Sequence, residues 1–114
     1  MQHVDTIVAI STALGPSAIA IVRMSGPGSE QIAGILFHPA KAVFPLKSHH
    51  LTYGWIKDPG SGRVIDEVLC CLMRPPGSYT REEIIEFHTH GGTKTAARIM
   101  ELCLRHGAEL AAPG

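Results

Sequence analysis

The apolar positions fall into short runs broken by turn residues, and their period changes along the chain. Residues Asp5 to Ser11 (TIVAIS after the aspartate) and Ala18 to Met24 (AIAIVRM) are two near-continuous apolar runs. A short Gly-Pro turn joins them, which predicts a buried β-hairpin. Pro27 to Phe37 carries Ile32, Ile35 and Leu36 at helical spacing and is stopped by Pro39. Ala40 to Ser48 reads as a loop with Val43, Phe44 and Leu46 tucked inward. His49 to Ile56 alternates, with Leu51, Tyr53 and Trp55 on one face, and predicts a third strand. Asp58-Pro59-Gly60-Ser61-Gly62 is the clearest turn, and Val64 to Met73 returns as a fourth strand. Arg74-Pro75-Pro76-Gly77-Ser78 cannot continue it. Ile84 to Thr89 is a β-favouring run, followed by the His90-Gly91-Gly92 turn. From Thr93 a helix is predicted with Ala96, Ile99, Met100, Cys103 and Leu104 on its apolar face, and Gly107 suits the left-handed residue just past it. Ala108 to Ala111 is a last short strand. The expected architecture is α+β: one domain, a mixed sheet of about five to six strands, and both helices packed on that sheet.

The chemistry gathers where the fifth strand meets its turn. Side chains alternate along a strand, so Ile84, Glu86, His88 and His90 share one face, and Ile85, Phe87 and Thr89 the other. A carboxylate flanked by isoleucines suits a flat ligand with paired N–H donors, such as a pterin or guanine. The opposing reading is a solvated glutamate on an edge strand. Arg23 interrupts the second strand near its end; it either snorkels to the rim or clamps a polar or anionic ligand.

Composition changes this picture mainly by exclusion. The 114 residues carry 10 Lys+Arg, 10 Asp+Glu and 7 His, so there is no global basic footprint for nucleic acid. Arg81, Lys94, Arg98 and Arg105 look scattered, which makes the domain alone a poor nucleic-acid reader. Cys70, Cys71 and Cys103 are an odd number; Cys70 and Cys71 are adjacent and point to opposite faces, and all three read as reduced core thiols. No apolar run reaches the roughly 20 residues of a membrane span, and no secretory leader is evident. Gly91-Gly92-Thr93-Lys94-Thr95 lacks the spacing of a phosphate-binding loop. Glu86, His88 and His90 could hold zinc from one face, but no further ligand is placed to complete the shell, so no metal is expected.

Several segments become specific when taken in order. DTIVAIST…G…AIAIVRMSGP at Asp5–Pro27, YG-x-I-x-DP-x-x-G-x-VIDEV at Tyr53–Val68, and RPPGSYTREEIIEFHTHGG at Arg74–Gly92 resemble the N-terminal domain of the tRNA modification GTPases MnmE (TrmE). The closing AAPG at Ala111–Gly114 resembles the start of that family's next motif, Pro-Gly-Glu-Phe. The resemblance implies a fold like the folate-binding part of glycine-cleavage T protein. It implies binding of a tetrahydrofolate derivative, the 5-formyl or methylene form, by Arg23 and Glu86, with His90, Gly91 and Gly92 lining the pocket. A third contact, a lysine, is implied beyond Gly114. It also implies homodimerisation, a flavoprotein partner MnmG, and tRNA modified at the 5-position of the wobble uridine by the whole cytoplasmic complex. GTP, Mg and K would belong to a G domain outside residues 1–114, which would be the N-terminal folate-binding and dimerisation domain cut just before its end. Two rivals stand beside this: a fragment of a folate-dependent aminomethyl- or methyltransferase, and a dimerisation domain with a vestigial pocket.

Overall fold

The structure, a computed structural model, describes residues 5–12, 19–41, 46–75, 82–90 and 92–111. In chain order the elements are β1 (Ile7–Thr12), β2 (Ala20–Ser25), α1 (Ser29–Leu36), β3 (Phe37–Pro39), β4 (Leu51–Lys57), β5 (Val64–Met73), β6 (Ile84–Thr89), α2 (Gly92–Arg105) and β7 (Glu109–Leu110). The strands form one sheet in the order β3-β4-β5-β6-β2-β1-β7. Neighbours run antiparallel except β1 and β7, which are parallel, so the sheet is mixed and the class is α+β. β1 and β2 form the expected hairpin, and β5 and β6 occupy the predicted residues.

The seventh strand is β3, which the sequence does not announce. Pro39 reads as a helix stop, yet the chain turns extended already at Phe37 (φ −98°, ψ 129°) and pairs with β4. Three residues are too few to show alternation, and a proline is tolerated on an edge strand. α1 is correspondingly shorter than expected, beginning at Ser29. α2 ends as predicted, with Gly107 at φ +116°.

Both helices lie on one face of the sheet. Val8, Val22, Met24, Val68, Cys70, Leu72, Ile85 and Phe87 point to that side and join Ile32, Ala33 and Leu36 of α1 and Ala96, Ile99, Leu102 and Cys103 of α2 in a single core. The buried stripe of α2 is rotated from the expected one: Leu102 is buried, while Leu104 is 36% exposed. Leu46 is buried as expected; Val43 and Phe44 lie outside the described residues.

The edge at β3 depends on a missing side chain. A Cβ at Gly54 would collide with the His38 carbonyl oxygen, with Pro39 Cα at 2.7 Å and with the Phe37 ring at 2.8 Å. Backbone cannot yield as a flexible side chain does. Gly54→Ala is therefore expected to cost about 1–3 kcal/mol through overpacking, read as a lower urea midpoint with an unchanged slope; an unchanged midpoint would show that β3 contributes nothing.

Two thiols set an alkaline limit on stability. Burial raises the Cys103 thiol from 9.0 to about 12, and raises Cys70 as well. A pKa higher in the folded than in the unfolded state gives stability that is complete below the unfolded value and is lost as pH climbs through the folded one. Unfolding free energy should thus decline between pH 9 and 12, by up to about 1.4 kcal/mol per pH unit for each thiol. Denaturation at stepped pH checks it: Cys103→Ala should show a shallower decline than the parent.

Candidate functional site

The face opposite the helices is open. The pairing register fixes what it carries. Arg23 of β2 stands directly across from Glu86 of β6, and Cys71 of β5 flanks Glu86 on its other side. Leu51 of β4 continues the row past Cys71, while Ile21 and Leu69 flank His88 in the next row. β6 is the fourth of seven strands, so Glu86 is not an edge residue. It is only 7% exposed, and Ser25, Ile84 and Met73 in the adjoining row of the same face are buried as well.

A carboxylate so placed is costly unless paired. Glu86 is paired twice. Arg23 donates to Oε2 through both Nε (2.7 Å) and NH2 (2.6 Å), and His88 Nε2 donates to Oε1 at 3.1 Å. Because a carboxylate only accepts, this contact fixes the proton of His88 on Nε2. The Arg23 side chain remains 41% exposed, so its stem lies on the sheet while its head meets water. Arg23 is partly exposed, and its guanidinium pairs with the protein's own Glu86.

His88, which sequence reasoning placed on the Glu86 face but did not assign to the site, is the residue that completes the pairing of Glu86. Its signal was present, since alternation already put it on the Glu86 face. His90 lies just past the strand, exposed, with its backbone N–H donating to Asp66 Oδ2 at 3.2 Å. Gly92 opens α2 at φ +76°, and Gly91 lies outside the described residues. Cys71 corrects the expectation of three core thiols. It is half-buried on the open face, where burial first and the Glu86 charge second push its thiol up, so it is neutral at ordinary pH. All three cysteines are free thiols. Among the described residues no helix is long and apolar enough to cross a membrane.

The arrangement matches a known sequence family. The family model described as "GTP-binding protein TrmE N-terminus" matches residues 6–114. The chain belongs to this family. Curated relatives named "tRNA modification GTPase MnmE" agree: 47% identity over 113 residues in Trichodesmium erythraeum, covering 96% of this chain and 24% of the relative. A Synechococcus relative is 50% identical over 112 residues, with the same coverage. One from Geobacillus thermodenitrificans is 46% identical over 116 residues, covering 100% of this chain and 25% of the relative. The chain therefore spans about a quarter of the length of the curated relatives it matches.

The Arg23–Glu86 pair has a structural cost that can be measured apart from any ligand. Arg23→Ala leaves a buried acceptor with one partner fewer and should destabilise by about 1–3 kcal/mol, toward the lower end because the guanidinium is exposed. Replacing both, Arg23→Leu with Glu86→Leu, removes the stranded charge and should recover most of that loss. Urea unfolding of the two variants tests it; a double variant no better than Arg23→Ala would mean that Glu86 is stabilised by something other than this pair.

Proposed function

We propose that this chain is the reduced-folate-binding and dimer-forming module of a cytoplasmic tRNA-modifying GTPase. The observation that carries the reading is the meeting of Arg23 and Glu86, from two separate family motifs, at the centre of an open sheet face. Whole-protein properties follow from the family: GTP with Mg and K in a separate G domain, the flavoprotein partner MnmG, and modification of the wobble uridine at its 5-position in tRNA.

The residues suit a tetrahydrofolate derivative, 5-formyl or methylene. A carboxylate offers roughly four acceptor positions, and three donors occupy Glu86. Oε1 keeps room for a further N–H. Oε2 is taken by Arg23, whose side chain is 41% exposed and, on ligand binding, turns toward a polar edge or carboxylate of the ligand. Glu86 then accepts from the paired N–H donors of the pterin, charge-assisted and directional. Ile21, Leu69 and Cys71 give the ring a flat, weakly polar floor beside the carboxylate. His90 and Gly92, which follow β6, are read as bordering it. The bound folate would supply the one-carbon unit; the chain's own part is to hold and orient it.

Dimerisation belongs to the same surface. Leu51 (58% exposed) and Tyr53 (45%) on β4 and Ile7 (40%) on β1 stand on this face as apolar groups that a second copy could bury. A second copy related by a two-fold axis would cover it.

Glu86→Gln keeps the shape but loses the charge and one acceptor. Calorimetric titration of the longer, natural protein with 5-formyltetrahydrofolate should show at least roughly tenfold weaker binding for this variant, about the worth of one charge-assisted hydrogen bond. Equal affinities would refute the role of Glu86.

A further inference from the structure

On the helix-covered side of the domain, three cations that are distant in sequence come together. Arg63 ends the turn between β4 and β5; Lys94 and Arg98 are one turn apart on the exposed side of α2. With Val64, Ile65 and Thr95 they line a hollow of about 260 Å³. Sequence spacing made Lys94 and Arg98 look like isolated surface charges; the fold adds Arg63 from 31 positions upstream of Lys94.

No carboxylate lines this hollow. Asp66, which follows the lining residue Ile65, accepts the His90 backbone N–H at 3.2 Å; Asp58 and Glu101 border an adjoining groove that shares Arg98. Both are engaged elsewhere: Asp58 accepts from the backbone N–H of Gly60 at 2.8 Å, and Glu101 pairs with Arg105. The Gly60 amide holds the Asp58 carboxyl below its ordinary range, so it stays charged and bound into its own turn. Among the described residues, which include all ten acidic side chains, Arg63, Lys94 and Arg98 make no ion pair. In a chain of zero formal net charge this is a local cluster of three cations with no carboxylate of the described residues within ion-pair distance.

Its lining has a hydroxyl at Thr95 and no aromatic ring. That chemistry suits phosphate oxygens rather than stacked bases. The hollow has the volume of about eight or nine waters at liquid density, enough for a phosphodiester and its flanking sugar atoms.

From this geometry we infer that Arg63, Lys94 and Arg98 form a docking site for the sugar-phosphate backbone of tRNA. The inference rests on the tRNA-modifying reading above for the identity of the RNA. It places the RNA contact on the opposite side of the sheet from the Arg23–Glu86 site, so RNA and folate do not compete.

The test is tRNA binding by the full-length protein, followed by fluorescence anisotropy across a salt series. Three released phosphate contacts correspond to a log–log salt slope of roughly two to three. Arg63→Gln/Lys94→Gln/Arg98→Gln should weaken binding about tenfold or more at low salt and reduce the slope by roughly that amount. Lys41→Gln/Lys47→Gln, a comparable charge loss at another surface, should change neither. Titration with 5-formyltetrahydrofolate should be the same in the parent and in the triple variant. An unchanged slope in the triple variant, or an equal loss in the Lys41/Lys47 control, overturns the site while leaving the folate reading intact. A parent protein that binds no tRNA at low salt overturns the tRNA reading, and the site with it.

Discussion

The decisive constraint is that both helices pack on the same side of a seven-stranded sheet. One side of every central strand then faces a core, and the other faces whatever comes next. On the core side alternation demands apolar residues, and Val22, Met24, Ile85 and Phe87 supply them. On the other side it permits charge, but only where charge is answered. Glu86 sits at the sheet's middle with 7% of its surface exposed. Its neighbours across β2 and along β6, Arg23 and His88, both pair with its oxygens. The polar pair is not needed simply to hold the strands together, because an apolar pair of similar size would hold them as well.

Much of this was legible beforehand, and the exceptions have physical causes. The bounds of β5 and β6 followed from apolar runs ended by proline and glycine. The faces of β6 followed from alternation alone, which placed Glu86 and His88 together. What alternation cannot supply is register. That Arg23 lands opposite Glu86, and not opposite His88 or Ile84, depends on how β2 and β6 align across 63 positions. No local pattern encodes this. β3 escaped because three residues against a sheet edge carry no period. Cys71 was misplaced because a thiol is equally at home on a buried or half-buried face. The cluster of Arg63, Lys94 and Arg98 escaped for the same reason as the register: its members meet only through the tertiary fold.

The two sides of the sheet divide the chemistry. The open side holds the buried carboxylate, its guanidinium and the exposed apolar residues. The helix side holds the cluster of Arg63, Lys94 and Arg98. The core between them is shared, so α2 serves both: Ala96, Ile99 and Cys103 are buried in the core against the sheet, while Lys94 and Arg98 are exposed.

The pairing of β2 with β6 also bears on how the chain reaches this state. α1, β3, β4 and β5 all lie between those two strands in sequence. Joining them closes a long loop, whose entropic cost is met only when the interface forms. Topologies dominated by such distant pairings assemble slowly. The β4–β5 and β1–β2 hairpins are local and can precede that closure, but the Arg23–Glu86 contact cannot. Its formation therefore marks the moment when the two halves of the chain become one cooperative unit, and a ligand that requires it would select for completely assembled molecules.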